Sequence, residues 1–453
     1  MLTLLSFAAA VLVAASLPRW VPAAVIRLRM WIFTRINGEE TIELPGASAD
    51  AARFKRLYSH PAANGRSRGA ALSDVFWYWL SPGPEIHQEH LEPGERYDKV
   101  AATTRRILAL PRRAAEDLAR RCVERAFGRA PVERAKLVRL REWAMPIWAD
   151  FYYNLVFGET CPVAARRFIV DNANDVVTAL KCCGLRHMRK RDRLTRFLTA
   201  RIEAGGLPHD LPPGLDLREQ ALYLQGVFFN TAIVQMSEAT AHLLFVLAQH
   251  AEVQDAVFAG SEDEHYLDHV MAETMRVYPL FGIAHRVTSA DIAVDEGTTI
   301  PKGSVLCFNY PDFHRVGWPE PERFHPDRWK ECSAHDANYI PFGVVGNRPC
   351  PAHGIAMVTL RVVAREVVQR FALHSSASHT RSLPNRGPCL VVPRDRPLGR
   401  RLRGAALAFI RVRDRWEDVY RSLAQLFLGS WMIWEARRLR LCERHFAAAD
   451  RKQ

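Results

Sequence analysis

One cysteine inside a loop of glycine, arginine and proline constrains this chain more than any other feature. Cys350 lies in the run Phe342-Gly343-Val344-Val345-Gly346-Asn347-Arg348-Pro349-Cys350-Pro351-Ala352. The glycines allow a close backbone approach and the prolines stiffen the run, so the thiol is presented in a fixed direction. No other cysteine stands at CxxC spacing from it, and Arg348 two residues upstream supplies a cation that favours the thiolate. A single anionic sulfur of this kind suits an axial ligand of haem iron, where it donates electron density toward O–O cleavage. Burial as a small apolar residue is the commoner fate of a lone cysteine, so the loop needs support from elsewhere in the chain.

Two upstream segments supply that support. Glu273-Thr274-Met275-Arg276 ends a helical pattern stopped by Pro279, and its i, i+3 spacing puts carboxylate and guanidinium on one face. Phe324-His325-Pro326-Asp327-Arg328-Trp329 adds a second arginine. A carboxylate held by two arginines can be buried with its hydrogen bonds satisfied, whereas Glu273 and Arg276 alone would read as an exposed helix pair. Taken in this order, the segments resemble the cytochrome P450 family. The resemblance runs from the apolar segment Leu217 to His250, through Phe313-His314-Arg315 to Trp329, and on to Ala356.

The resemblance implies a mainly α fold with a smaller β region, built as one haem domain with an extension at each end. It implies haem b as cofactor and Cys350 as the proximal ligand. Glu273, Arg276 and Arg328 would form a buried triad behind the haem, and Arg348 and Arg286 would pair with its propionates. Phe342, Gly346 and Ala352 would be the loop positions against the cofactor. Family members also carry an aromatic and an arginine on an early helix, for which Tyr97 with Arg105 or Arg106 are the candidates here. The chain departs from the pattern twice in the loop. Ala352 stands where glycine is usual, and Val344-Val345 makes the run one residue longer.

A third departure bears on chemistry. The family places an acid followed by an alcohol, beside a small pair, at the middle of its long helix. Counting back from His250-Ala251-Glu252 puts the small pair on Thr231-Ala232 and the acid and alcohol on Val234 and Gln235. Gln235 can hold a water but is no proton source at neutral pH. Ala232 and Gln235 are therefore the candidate distal residues. Glu238 and Thr240 lie about one turn further on, roughly 5 Å away, and a shift of register would bring an acid and a hydroxyl to the site. Asn230 and Gln235 also fit as ordinary satisfied polar residues of a buried helix.

Composition bounds the remainder. With 453 residues and 48% hydrophobic content the chain can bury a large core, and nothing splits its middle into two domains. We read residues 1–40 as a membrane anchor with a basic linker, 41–397 as the haem-thiolate domain and 398–453 as a basic amphipathic extension. Nine cysteines without paired spacing argue against a disulfide framework and for a reducing compartment. Residues 1–17 carry no charge and are followed by Arg19, Arg27, Arg29 and Arg35. At about 1.5 Å each they reach roughly 26 Å, close to the hydrocarbon thickness of a bilayer, with the basic side cytoplasmic. A cleaved signal peptide and a buried helix stay open for this segment. From Arg400 onward thirteen basic residues face six acidic ones, a net of +7 out of +13 overall. The apolar stretch Leu423 to Trp434 is too short to span and fits an interfacial helix at a membrane surface or one packed on the domain. Nucleic acid is excluded as a partner because the aromatics cluster with aliphatics instead of interleaving with arginines. His87 and His90 at i, i+3 lack a third ligand and read as surface residues.

Three functions fit these residues. The first is a monooxygenase that inserts oxygen into a small apolar substrate, drawing electrons from a separate ferredoxin or flavoprotein because no length is left for a flavin domain. The second is a haem-thiolate isomerase, dehydratase, peroxygenase or N–O/O–O cleaving enzyme that works without the O2 cycle. The third is a haem-binding or sensor protein without turnover.

Overall fold

The computed structural model describes residues 2–38, 41–46, 50–80, 86, 90–260, 265–280, 282–333, 337–379 and 388–451, with backbone alone at 2–5, 7–11 and 37. Among these, helices dominate: α1 (Leu2–Asn37), α2 (Ala51–Tyr58), α3 (Ala71–Leu80), α4 (Glu95–Leu108), α5 (Arg112–Arg129), α6 (Leu140–Phe157), α7 (Val163–Leu180), α8 (Met188–Glu203), α9 (Leu217–Gln249), α10 (Ala251–Ala259), α11 (Tyr266–Val277), α12 (His353–Arg370), α13 (Arg400–Leu439) and α14 (Leu441–Asp450). The strands are short: β1 (Thr41–Leu44), β2 (Lys136–Arg139), β3 (Ile283–Val287), β4 (Ile292–Asp295), β5 (Thr298–Ile300), β6 (Val305–Asn309), β7 (Phe371–His374) and β8 (Pro388–Pro393). They form sheets in the orders β1-β6-β3 and β2-β8-β7 and the hairpin β4-β5. This is the mainly helical architecture with a small β component that the sequence implies.

Helix α9 is the axis of the fold. Asp216 caps it by accepting from the Glu219 amide at 2.8 Å while the Glu219 carboxylate accepts from the Asp216 amide at 3.2 Å, a reciprocal capping box. Its most apolar 18-residue window is 83% buried. A helix apolar on all sides belongs in a core or a membrane, and this one is sheathed by α6, α7, α11 and α12. Within it, Gln225–Ala232 winds as π-helix, a form frequently found at functional sites.

A second core packs under the β1-β6-β3 sheet. Phe54 of α2 stacks on Phe313 at 4.1 Å between ring centroids, and Tyr58 meets Phe308 edge-on at 4.5 Å. These rings form a stiff floor beneath the Cys350 loop. In β3, Arg286 stands opposite Leu306 of the central strand β6, so the sheet fixes where its guanidinium emerges.

Four expectations are corrected. Helical periodicity over Ile107 to Phe127 suggests one helix, but the chain breaks after Leu108 because Pro111 has no amide proton and forces the preceding residues out of helical geometry. Only the part of Val132 to Phe157 from Leu140 is helical, since Lys136–Arg139 pairs with β8 instead. The N-terminal helix continues well beyond residue 17, through Pro18 and Pro22 to Asn37, and lies along α13. His87 lies outside the described residues, and His90 is buried.

Candidate functional site

Behind the site sits a saturated carboxylate. Glu273, wholly buried, accepts from Arg276 Nε at 2.8 Å and Nη2 at 2.9 Å, from Arg328 Nε at 3.1 Å, from the His325 amide at 3.0 Å and from Trp329 Nε1 at 2.9 Å. Helical i, i+3 spacing brings Arg276 to it, and the 3-10 turn Pro326–Lys330 brings Arg328 and Trp329. Five donors on two oxygens leave no lone pair idle, which is what allows the ion to sit in low dielectric. Arg276 also donates to the His314 carbonyl at 3.4 Å, tying α11 to the segment after β6.

The cysteine loop is fixed from both ends. The Cys350 amide donates to Phe342 O at 3.0 Å, closing the run into a hairpin-like loop that leads into α12. The Asn347 side chain donates to Tyr58 O at 2.7 Å and Ala63 O at 2.8 Å, pinning the loop to α2. Both sequence departures are absorbed locally. Val345 is 91% exposed, so the added residue bulges into solvent while Val344 pairs with Asn347 across the bulge. Ala352 has φ −88°, a conformation any L-residue adopts, so glycine is not required there. Arg348, by contrast, holds a left-handed φ of +51°, which is strained for a residue with a Cβ. Gly346 does not reach the cavity. A Cβ there would lie 3.3 Å from Ser59 Cβ, so its small size serves packing against α2.

Cys350, Phe342 and Ala352 form one wall of a cavity whose opposite wall is α9, contributing Thr231, Ala232 and Gln235. With its mouth, the cavity encloses about 1390 Å³. Its surface is largely apolar, and three guanidiniums, those of Arg66, Arg286 and Arg348, reach it while no acidic side chain does among the described residues. Arg348 donates through Nη2 to Leu91 O at 2.7 Å and Asn64 O at 3.2 Å and lies over the Tyr97 ring at 4.5 Å. Arg286 donates to Tyr58 Oη at 3.1 Å and to the His285 carbonyl at 2.9 Å. Burial, reinforced by Arg66 and Arg286, pushes His285 well below the usual imidazole range, so it adds no further charge. Sulfur on one side, apolar walls and an excess of cations match a flat apolar group that carries carboxylates and a thiolate-binding metal, so the residues present fit haem.

On α9 the side chains sort cleanly. Thr231 and Gln235, four residues apart, face the cavity with Ala232 between them on the same side. Val234 is buried in the core. Glu238 turns away to Lys181 Nζ at 2.6 Å and Arg141 Nη1 at 3.3 Å, and Thr240 bonds Trp148 Nε1 at 2.9 Å. A shifted register that delivers Glu238 and Thr240 to the site is therefore ruled out by their partners. Asn230 is a satisfied core residue, bonded to Asn172 of α7. Thr231, placed from the sequence in the small pair, faces the cavity, whereas Arg66 and Tyr58 line it without having been singled out from the sequence. Nothing local marks Arg66, whose neighbour His285 lies far along the chain. Tyr97 meets Arg348, whereas Arg105 and Arg106 are exposed and Arg106 bonds the Asp210 carbonyl.

Residues 218–398 match the family model described as cytochrome P450. Dog cytochrome P450 3A12 is 32% identical over 177 residues, covering 34% of this chain and 35% of that protein. Rat cytochrome P450 3A9 is 31% identical over 166 residues, 32% of this chain and 33% of that protein. These alignments span about a third of the relatives' length. Among solved structures, a zebrafish cytochrome P450 with abiraterone superposes with TM-score 0.60 at 16% identity, over 76% of this chain and 89% of the other. Cyanobacterial CYP120A1 with retinoic acid bound gives 0.57 at 19% identity, over 74% and 83%. At those identities the likeness is one of fold.

Proposed function

We propose that this chain, whose residues 218–398 match the cytochrome P450 family model, is a haem-thiolate oxidoreductase, a monooxygenase acting on a small apolar organic substrate. The observation that carries the reading is one cavity flanked by Cys350, α9 and three guanidiniums. Bound through an anionic sulfur, haem b supplies the activation of dioxygen and cleavage of the O–O bond. Cys350 holds the metal, and Arg286 and Arg348, with Arg66, bind the carboxylates. Phe342 and Ala352 close the sulfur side against water. Glu273 with Arg276 and Arg328 keeps the loop in position. Gln235 and Thr231 orient water near the distal face, and Ala232 leaves room there. Electrons come from a separate ferredoxin or flavoprotein docking on a basic surface.

A second reading has its own support. Among the described residues no carboxylic acid reaches the cavity, so proton delivery runs through water held by Thr231 and Gln235, or the enzyme acts on a substrate whose own O–O or N–O bond needs no such delivery. Product that requires reductase and reductant supports the monooxygenase; product formed from peroxide or without reductant supports the alternative. The family-level proposal is tested by the ferrous carbon monoxide spectrum. Wild type should show the red-shifted Soret band of thiolate ligation and Cys350→Ala should lose it; an unchanged band in the variant sinks the assignment.

Membrane association is part of the proposal. Trp20, Trp31, Phe409, Trp416, Phe427 and Trp434 are exposed on the paired helices α1 and α13, among arginines. Aromatic and apolar side chains flanked by cations are what an interfacial surface requires, with the haem domain on the cytoplasmic side.

A further inference from the structure

A second cavity, of about 1230 Å³ with its mouth, lies where the start of α6, the end of α7 and the middle of α13 meet, and it shares no lining residue with the first. Its walls carry five cations, Arg139, Arg141, Lys181, Arg413 and Arg421, against the carboxylates of Glu142 and Glu417. Glu238 stands behind the wall, bonded to Lys181 and Arg141. Arg421 binds Glu417 at 2.6 Å, while Arg139 and Arg413 approach the same carboxylate at 3.5 and 3.8 Å. Five basic against three acidic side chains leaves a formal surplus of two positive charges in a partly enclosed space, while burial lowers the pKa of the Lys181 ammonium. Arg141 is 2% exposed, and its Nε meets no acceptor among the described residues. Glu238 Oε2 and Glu417 Oε2 also lack donors, so water belongs in the cavity too.

A buried guanidinium NH without an acceptor is destabilising, and an excess of cations over counter-charges adds to that cost. We infer that this cavity binds a phosphate monoester group, whose two negative charges match the surplus and whose oxygens accept from Arg139, Arg141 and Arg413. Trp416 and Tyr420 line the rim and are 43% and 70% exposed on the same helix that carries the apolar aromatic face. The phosphate can thus arrive on a lipid headgroup or on a soluble molecule, and the chemistry of capture is shared.

The test titrates full-length protein in neutral detergent with inorganic phosphate and, separately, with water-soluble dihexanoyl phosphatidic acid, by calorimetry. Saturable one-site binding is expected for at least one probe. Binding of the lipid alone assigns a headgroup; equal binding of both assigns a soluble phosphate. Arg141→Met should weaken binding about tenfold or more, the loss of one charge-assisted hydrogen bond. Since Arg141 is buried and the variant can misfold, Arg139→Gln combined with Arg413→Gln, both at the rim, should weaken it similarly with haem content unchanged. Absence of saturable binding by wild type, or rim-variant affinity equal to wild type, overturns the inference.

Discussion

Glu273 shows how a single residue can be legible in sequence and still gain meaning from structure. The pairing with Arg276 follows from helical spacing, and Arg328 follows from charge logic. The donors from Trp329 and the His325 amide, which complete the shell, depend on a turn some fifty residues downstream and leave no local trace. Replacing Glu273 with Gln should remove about 3–5 kcal/mol of stability, because Arg276 and Arg328 remain buried without their counter-charge. Urea denaturation followed by circular dichroism measures it, and a loss below about 1 kcal/mol would show that the carboxylate is not what holds the scaffold. Gln235 tests chemistry at the same scale. Gln235→Ala should leave haem content intact while lowering turnover by up to about 100-fold, the low end of what positioned proton transfer contributes. Unchanged turnover together with unchanged coupling of reductant to product would remove Gln235 from any distal role.

At the scale of elements, helix α9 and the cysteine loop divide what sequence can and cannot reveal. The apolar run, the Asp216 cap and the end before His250 are readable from residue types alone. The π segment is not, because its partners are tertiary. Gln225 donates to Asn172 Oδ1 at 3.2 Å and to the Arg191 carbonyl at 3.1 Å, and Asn172 in turn reaches Asn230 and, at 3.4 Å, the Phe229 carbonyl. Asn172→Ala should therefore cost about 1–3 kcal/mol by leaving buried amides of α9 unsatisfied. The same variant should shift the optical response of the haem to apolar ligands, since Ala232 at the end of the π segment faces the cavity. Wild-type stability in this variant would mean the winding is set by α9 alone. In the loop, the added residue costs little. The Val345 side chain is 91% exposed, so Val345→Ala should change stability by no more than about 0.5 kcal/mol and leave haem incorporation as it was. Thermal unfolding of both holoproteins decides this.

For the whole molecule, the question is whether the terminal helices are appendages or part of the body, and the division at 397 and 398 is a proposal that packing can test. Helix α13 is attached at several points. Arg437 pairs with buried Asp74 of α3 at 2.8 Å, the Cys442 amide donates to the same carboxylate at 2.9 Å, and Glu435 accepts from Tyr78. Met432, Ile433 and Ala436 pack with Val75, Tyr78 and Ala179 in a cluster that also takes in Phe33 and Ile36 of α1. Gly429 is the point of closest approach. A Cβ there would fall 2.9 Å from Phe33 Cζ and 3.1 Å from Cys182 Cβ, so three elements converge on a position that only hydrogen can occupy. None of this is visible in the basic, apolar-rich composition of the tail, which reads equally as an interfacial helix or a packed one, because contacts between the two ends of a chain have no sequence signature. The structure packs one face of this helix on α1 and α3 and leaves its aromatic face outward. Gly429→Val should then cost about 1–3 kcal/mol through overpacking and should loosen α1 from α13. Limited proteolysis should cut the α1 segment faster in this variant than in wild type while the haem spectrum stays the same. Equal cleavage rates would mean that α1 is held to the body by contacts other than this seam.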